Sequence, residues 1–332
     1  MKRRAFLSKT FLSAVATTGL ATSVAAASTP SPKESLRTVS ADKTALSDQN
    51  PAPRKPIIRI AHLTDIHVKA EKIAEEGMAR AFRNANTLTP KPDFIVNSGD
   101  CIMDALQATK EETKAQWTLY KGILKENNAL PVVHAIGNHD IWGWLSKTPG
   151  LQTDKLYGKQ WMVEELKLPK RYYSFEKANW KFIILDSVQP SRDIGYTAFL
   201  DAEQYAWLEG ELRNCAPTKF ITIVSHVPIL SMTSGLFYGR NEANGDLVTK
   251  HNQMHTDFFK LKNLFKNYPN LRLCLSGHTH MQDEVKYLDV TYFCNGAVSG
   301  GWWRGNHQDF APAYAIVDYY DDGSFERHFV NY

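Results

Sequence analysis

Short apolar runs that end in polar loops recur along the chain from residue 57, and longer stretches with helical spacing lie between them. The runs predict buried strands at 57–63, 94–96, 132–136, 220–224 and 271–275. The intervening stretches place apolar residues on one helical face and predict crossover helices at 71–88, 111–128, 201–214 and 252–267. Strands that alternate with helices in this way are typical of an α/β fold.

Two further pairs of runs predict β-hairpins. Residues 172–176 are followed closely by 180–185, and residues 314–319 turn at Asp321-Asp322-Gly323 into 325–330. Hairpins bring antiparallel neighbours into sheets that are otherwise parallel, so the pattern favours mixed sheets.

The first 27 residues have the pattern of an export signal. A basic start, Lys2-Arg3-Arg4, precedes a run without charge that extends from 10 to 32. Small residues accepted by a signal peptidase lie towards its end, at Ala25-Ala26-Ala27-Ser28, and we predict a signal peptide over 1–27 that is cleaved after Ala27. The consecutive arginines resemble a twin-arginine signal, which predicts the twin-arginine export machinery as a partner. A retained membrane anchor is the alternative, although serine and threonine make the run a poor match to hydrocarbon.

Residues 28–56 are expected to form a disordered linker, because they hold five of the fifteen prolines and no aromatic residue. The folded domain is therefore predicted over 57–332. We expect the cleaved protein to be periplasmic or extracellular, without stable membrane association. The sequence leaves the oligomeric state open.

The net charge of +4 belongs entirely to the predicted signal peptide. That segment carries four basic residues, Lys2, Arg3, Arg4 and Lys9, and no acidic one, so that 35 basic residues balance 35 acidic ones in the remainder. A neutral protein lacks the excess of Lys and Arg with which nucleic-acid-binding proteins contact the phosphate backbone, so a nucleic-acid partner is not expected.

Histidine, aspartate and asparagine residues collect in the loops that follow the predicted strands. The blocks are Asp65-x-His67, Gly99-Asp100, Gly137-Asn138-His139-Asp140, Ser225-His226 and Gly277-His278-Thr279-His280. Because α/β sheets place their ligand sites at the carboxyl ends of strands, these side chains are expected to form one site. Imidazole and carboxylate ligands without thiolate suit Fe, Zn, Mn, Co or Ni, and so many ligands predict two ions. The four cysteines are dispersed and form no C-x-x-C pair.

In their order, these five blocks resemble the calcineurin-like metallophosphoesterase superfamily over residues 57 to about 282. The glycine-rich stretch 300–305 is similar to one in cyclic-nucleotide-phosphodiesterase-like and purple-acid-phosphatase-like members. The resemblance implies two mixed β-sheets packed as a sandwich and flanked by helices, in four layers.

The resemblance also implies the roles of the site residues. One metal ion is assigned to Asp65, His67, Asp100 and His280. A second ion is assigned to Asn138, His226 and His278, with Asp100 bridging the two. His139 is assigned as the catalytic histidine near the leaving group, and Asp140 as the hydrogen-bonding partner of that histidine. Fe, Mn and Zn are the expected metals.

The function expected from this resemblance is hydrolysis of a small phosphomonoester or phosphodiester by an exported dinuclear metal-dependent phosphoesterase. A metal-bridging hydroxide would attack phosphorus in line, since two ions lower the pKa of water and neutralise phosphoryl oxygens. A nuclease of the same superfamily is the runner-up, and the neutral charge disfavours it. A metal-loaded binding protein without turnover is a further alternative, which the presence of His139 and of every metal position disfavours.

Three segments beside these blocks are candidates for substrate contact. They are the segment with Trp142, Trp144, Tyr157 and Trp161, the loop 229–251 with Arg240, and the stretch 300–305 with Trp302, Trp303 and Arg304. We interpret the aromatic residues of the first segment as a small satellite core rather than a stacking surface. We interpret His62 and His134 as core histidines and Asp186 as a loop cap.

Overall fold

Two mixed sheets with helices outside them form the folded domain in the computed structural model, which describes residues 54–192 and 195–332. The strands are β1 Ile58–Leu63, β2 Phe94–Asn97, β3 Val132–His134, β4 Tyr173–Lys177, β5 Trp180–Ile184, β6 Val188–Ser191, β7 Gly195–Ala198, β8 Phe220–Val224, β9 Leu271–Ser276, β10 Gln282–Tyr287, β11 Val290–Asn295, β12 Tyr314–Tyr319 and β13 Phe325–Val330. The α-helices are α1 Lys72–Thr87, α2 Lys110–Asn127, α3 Gln160–Glu165, α4 Ala202–Arg213, α5 Thr233–Tyr238 and α6 Phe258–Phe265. The predicted signal peptide 1–27 and most of the predicted linker 28–56 lie outside the described residues.

Both large sheets combine parallel and antiparallel strands. The five-stranded sheet has the order β13-β12-β1-β2-β3, in which β1, β2 and β3 are parallel. The six-stranded sheet has the order β10-β11-β9-β8-β5-β4, in which β11, β9, β8 and β5 are parallel. Strands β6 and β7 form a separate two-stranded ribbon. The two predicted hairpins are present as β4–β5 and β12–β13, where they supply antiparallel edges.

Alternating side chains on the strands divide the core into three parts. In β1, Ile60 faces the other sheet, whereas its neighbour Ala61 packs beneath the helices. Between the sheets, the ring of Phe182 lies 5.5 Å from that of Phe94 and 5.4 Å from that of Tyr319, measured between centroids. Helices α1 and α2 cover the outer face of one sheet, and α4 and α6 cover that of the other. The predicted sandwich of two sheets between helical layers is confirmed.

The two long helices on the five-stranded sheet show why these segments fold as predicted. Helix α2 begins with a capping box, in which Thr109 and Glu112 each accept the backbone N–H of the other. Helix α1 turns one apolar face inward, since its buried residues recur at helical spacing. Those residues are Ala74, Gly77, Met78, Ala81, Phe82 and Ala85.

The helix predicted over 252–267 is shorter than expected. Helix α6 begins only at Phe258, because backbone groups before it are engaged in tertiary hydrogen bonds. The N–H of Thr256, for example, donates to the carbonyl of Ala198 at 2.8 Å. Such bonds replace the first helical turns that the apolar spacing predicts.

The hairpin of β10 and β11 has no counterpart among the predicted elements. Its turn is Leu288-Asp289, with φ of 48° and 62° at the two residues. Two-residue turns of this kind strongly prefer Asn-Gly or Asp-Gly. A Leu-Asp pair carries none of that preference, so the sequence gives little indication of the turn.

The predicted linker ends in residues that contact the domain. The guanidinium of Arg54 pairs with Asp322 at 2.8 Å and lies 4.3 Å from the centroid of the Tyr320 ring. Among the described residues, no helix combines the length and the apolar character that a membrane span requires.

We predict opposite effects of the same substitution in α1 and α2. A Cβ added at Gly77 would lie 2.0 Å from Cζ3 of the buried Trp303, so Gly77→Ala is expected to destabilise the fold by about 1–3 kcal/mol. Gly122 is exposed and has nothing within 4 Å of an added Cβ, so Gly122→Ala is expected to stabilise by about 0.5–1 kcal/mol. Urea unfolding measures both effects. Equal stabilisation by the two variants would contradict a fixed position for Trp303.

Candidate metal centre

The predicted site residues lie in loops at the carboxyl ends of five strands. Asp65 and His67 follow β1, Asp100 follows β2, residues 138–140 follow β3, His226 follows β8, and His278 and His280 follow β9. The first three strands belong to one sheet and the last two to the other. Loops from both sheets therefore meet at the same site.

Five of the predicted metal ligands have a left-handed backbone that residues other than glycine rarely adopt. The φ angles are 53° at Asp65, 47° at His67, 55° at Asp100, 68° at His278 and 59° at His280. Each such residue costs about 1–3 kcal/mol, and conformations of this kind cluster at functional sites. The tight turns allow two side chains that are separated by one intervening residue to approach each other. As a result, Asp65 Oδ1 lies 3.9 Å from His67 Nε2.

Asp65, His67 and His280 form the first group of electron-pair donors, and all three are buried. The Nε2 atoms of His67 and His280 lie 3.0 Å apart, and Asp65 Oδ1 lies 3.4 Å from His280 Nε2. Two imidazole nitrogens at this distance share a single proton at most. A cation placed between them satisfies both nitrogens and the carboxylate.

A second group surrounds Nε2 of His226, which is also buried. This nitrogen lies 3.0 Å from Asn138 Oδ1, 3.2 Å from Asp100 Oδ2 and 3.2 Å from His278 Nδ1. One proton on His226 cannot point at three acceptors. The arrangement of an amide, a carboxylate and two imidazoles therefore suits a cation better than a hydrogen bond.

Asp100 lies between the two groups. Its Oδ2 atom is 3.5 Å from His67 Nε2 and 3.2 Å from His226 Nε2. Its Oδ1 atom accepts the backbone N–H of His139 at 2.8 Å, which fixes the carboxylate. This is the position that a carboxylate shared by two ions requires.

Backbone carbonyls orient three of the imidazole rings. A carbonyl oxygen only accepts, so the ring nitrogen that faces it must carry the proton. The pairs are His226 Nδ1 with Ser98 O at 3.0 Å, His278 Nε2 with Asn252 O at 2.8 Å, and His280 Nδ1 with Gly300 O at 2.5 Å. The other nitrogen of each ring points into the cluster and is the one available to a cation.

The ionisation of the buried groups matches this reading of the cluster. Burial raises the pKa of Asp100, but the neighbouring His226 and His139 hold it well below its ordinary value. Burial lowers the pKa of His226, but the Asp100 carboxylate raises it to about 9. Burial lowers the pKa of His278 to about 3. Without a cation, His226 carries the proton that balances Asp100, and a bound cation would displace that proton.

A family model described as calcineurin-like phosphoesterase matches residues 58–282. The chain belongs to this family. Calcineurin-like phosphoesterases are metal-dependent, which agrees with the clustered donors of this member. The resemblance of the five sequence blocks to this family is therefore confirmed.

Proteins similar to this calcineurin-like phosphoesterase are named as a phosphodiesterase and as phosphatases. The chain is 25% identical over 282 residues to a 3',5'-cyclic-nucleotide phosphodiesterase of Nostoc sp., covering 81% of this chain and 90% of that protein. It is 24% identical over 156 residues to a serine/threonine-protein phosphatase of Danio rerio, covering 46% of this chain and 46% of that protein. A solved dimetal phosphatase from Danio rerio has a TM-score of 0.57 at 13% identity, over 84% of this chain and 100% of that one. That likeness shows a shared fold.

Asp140 makes different contacts from those predicted. Its carboxylate does not bond the ring of His139 but accepts backbone N–H groups of the neighbouring loops. The donors are Gly137 at 3.0 Å, Asp100 at 2.8 Å and Cys101 at 2.8 Å. The prediction that Asp140 holds the tautomer of His139 is wrong, because these N–H groups engage both carboxylate oxygens. Asp140 instead ties the loop after β2 to the loop after β3.

The ring of His139 is held by Met103. Its Nδ1 atom donates to the Met103 carbonyl at 2.6 Å, which leaves Nε2 as the free nitrogen. The ring lies edge-on to that of His67, with centroids 4.7 Å apart. Sequence reasoning missed Met103 because the group that acts is a backbone carbonyl, which leaves no mark on residue type.

The segment after the third block largely fills a core, in agreement with the interpretation from its sequence. Trp142 and Trp161 are buried, and their rings meet edge-on at 5.0 Å. Trp144 packs against the same apolar cluster, partly buried. These aromatic residues position the loop rather than offer a stacking surface.

The loop 229–251 differs from the polar loop that its sequence suggests. It contains α5 and exposes several large apolar side chains, namely Met232, Leu236, Phe237, Leu247 and Val248. Arg240, a candidate anion ligand, is exposed and lies 3.4 Å from the carboxylate of Glu242. The hydroxyl of Tyr238 in this loop lies 2.6 Å from His307 Nε2, a contact that the sequence did not predict.

His62, His134 and Asp186, which were also singled out from the sequence, are buried. His62 lies 2.7 Å from the Asn295 amide, and His134 lies 3.0 Å from the Tyr120 hydroxyl, as expected of core histidines. Asp186 pairs with two cationic side chains at 2.6 and 2.8 Å, which is a more extensive role than a loop cap.

We predict that Asp140→Asn destabilises the protein even when no metal is present. The amide replaces one acceptor oxygen with a donor that faces backbone N–H groups, so the expected loss is about 2–3 kcal/mol. Urea unfolding in the presence of a chelator measures it. Asp309→Asn, an exposed control, is expected to change stability by less than about 0.5 kcal/mol. Equal stability of the two variants would contradict the loop-joining role of Asp140.

Proposed function

We propose that this protein is an exported dinuclear phosphoesterase that hydrolyses a small phosphomonoester or phosphodiester. Membership of the calcineurin-like family makes it a metal-dependent hydrolase of phosphoric esters. The observation that supports two ions is the position of Asp100 Oδ2, within 3.5 Å of both His67 Nε2 and His226 Nε2. The Nostoc sp. relative is a 3',5'-cyclic-nucleotide phosphodiesterase, which makes a small cyclic diester a reasonable first substrate to test.

Seven side chains would hold the two ions. The first ion would be held by Asp65, His67 and His280, the second by Asn138, His226 and His278, and Asp100 would be shared. Bound ions supply positive charge that neutralises phosphoryl oxygens and lowers the pKa of water. The chain supplies a rigid donor set, because carbonyls orient three of the rings and left-handed turns fix the side chains.

His139 is the residue that we assign to the leaving group. Its ring lies beside that of His67, and the Met103 carbonyl holds its Nδ1–H. Nε2, which carries a second proton in the imidazolium form of the ring, is therefore the atom that would donate a proton to the departing oxygen. The bond from the His139 backbone N–H to Asp100 Oδ1 keeps this ring in a fixed position relative to the metal donors.

Assays with p-nitrophenyl phosphate and bis-p-nitrophenyl phosphate test the proposed function. With Mn, Fe or Zn present, we expect metal-dependent release of p-nitrophenol from at least one ester, and a chelator should abolish it. The ratio of the two rates separates a phosphatase from a phosphodiesterase. A protein that binds two ions and cleaves neither ester, nor 3',5'-cyclic AMP, would be a metal-loaded binding protein instead.

We also propose that residues 1–27 direct export by the twin-arginine route and that residues 28–56 link this signal to the domain. The basic start and the uncharged run that follows support this. Replacing Arg3 and Arg4 together with lysine should retain the full-length protein in the cytoplasm, as measured by cell fractionation. Undiminished export of that variant would argue for a different route.

We predict that Asp100→Asn lowers the metal content of the purified protein. The variant keeps an Oδ1 atom that accepts the His139 N–H, so the loop is retained, but it removes the negative charge between the two donor groups. We expect the complement to fall from about two ions per chain to one or fewer. Elemental analysis after native export measures it. An unchanged complement would refute the bridging assignment.

We predict that His139→Ala keeps its metal but loses most of its turnover. Loss of a general acid should lower kcat by about 10²–10⁴-fold, with metal content unchanged. His328→Ala is a suitable control, because that side chain is 60% exposed. Loss of metal in parallel with activity would identify His139 as a ligand rather than as the acid.

A further inference from the structure

The turn 299–305 is attached to three of the predicted metal ligands. The Ser299 N–H donates to the Asp65 carbonyl at 3.1 Å, and His280 Nδ1 donates to the Gly300 carbonyl at 2.5 Å. The indole N–H of Trp303 donates to the carbonyl of His67 at 3.0 Å. The turn therefore cannot move without moving the first donor group.

The two tryptophans of this turn have different environments. Trp303 is buried, and its ring fills the space that Gly77 leaves open in α1. Trp302 is only partly buried, and its indole N–H has no hydrogen-bond partner among the described residues. Its φ of 53° is unusual for a bulky side chain, so the anchored turn holds Trp302 in a conformation that it would otherwise avoid.

Trp302 lies beside two of the predicted metal ligands, His280 and His67. Its ring centroid is 4.3 Å from that of His280 and 5.9 Å from that of His67. The ring of His139 adjoins the same His67 ring, at 4.7 Å. Trp302 and the residue assigned to the leaving group therefore share His67 as a neighbour.

A third ring limits the space next to Trp302. His307 stands perpendicular to Trp302, with centroids 5.3 Å apart, and the Tyr238 hydroxyl holds its Nε2 atom at 2.6 Å. At the other end of the cluster, Tyr196 adjoins His278 at 6.0 Å. The first donor group thus adjoins a fixed indole that has a second ring at its edge.

We propose that Trp302 is a stacking surface for a planar ring in the alcohol part of the phosphoester. This inference rests on the proposed phosphoesterase function and names its substrate class, esters whose leaving group is aromatic or heteroaromatic. An indole attracts a planar ring by dispersion and by its quadrupole, and such stacking tolerates different rings because each has a π face. A nucleoside is one member of this class.

Benzyl phosphate and cyclohexylmethyl phosphate form a matched pair for the test, since their alcohols are similar in size and basicity and differ in planarity. If the protein cleaves only diesters, their methyl diesters replace them. In Trp302→Leu, kcat/KM for the benzyl ester should fall at least about fivefold, while that for the cyclohexylmethyl ester changes by less than about twofold. Trp302→Phe should keep most of the preference for the benzyl ester.

Phe259→Leu controls for the loss of an aromatic side chain, because Phe259 is 73% exposed on α6. It should leave the ratio of the two esters unchanged. Equal losses for both esters in Trp302→Leu would show that the indole only shields the histidines, and would overturn the proposal. No change for either ester would overturn it as well.

Binding of benzylphosphonate and cyclohexylmethylphosphonate separates this inference from the proposed function, because it needs no turnover. Calorimetry with the metal-loaded protein should show tighter binding of the benzyl compound, and Trp302→Leu should remove the difference. Binding of this kind without hydrolysis of any ester would contradict the function but support the stacking surface. Hydrolysis of an ester without tighter binding of the benzyl compound would support the function but contradict the stacking surface.

Discussion

The site depends on one electrostatic constraint, the convergence of electron-pair donors in a buried volume. Nε2 atoms of His67 and His280 lie 3.0 Å apart, and Nε2 of His226 meets three acceptors within 3.2 Å. Protons alone cannot satisfy this arrangement, because one proton can be shared by only two of these nitrogen and oxygen atoms. Cations that bound the folded cluster and not the dispersed residues of the unfolded chain would stabilise the fold by mass action as well as supply chemistry.

The scaffold keeps these donors together by means of backbone groups. Five ligand residues have a positive φ, which costs free energy, and the surrounding structure must hold them there. Asp140 contributes by joining two loops through N–H groups, and carbonyls such as Gly300 O orient the rings. The parallel strands of both sheets end at this edge, so rigid elements support every loop.

The sequence predicted the fold class and the grouping of the site well, because both follow from strong local patterns. Apolar runs followed by Asp, His and Asn place the residues at strand ends, and the order of the blocks identifies the family. Contacts that depend on three-dimensional position were harder to predict. The partner of His139 is a carbonyl of Met103, and α6 starts late because tertiary bonds use the backbone before it. Both interactions use backbone groups, which are the same in every residue type, so the sequence does not indicate them.

The adjacent Trp302 and Trp303 show the same limit at the edge of the site. The two residues are of the same type, yet the ring of Trp303 fills the space beside Gly77 in α1, whereas the ring of Trp302 lies beside His280. The bonds of this turn to Asp65, His67 and His280 connect the proposed stacking surface to the groups that would hold an ion. A change in the turn would therefore alter ligand geometry together with substrate preference.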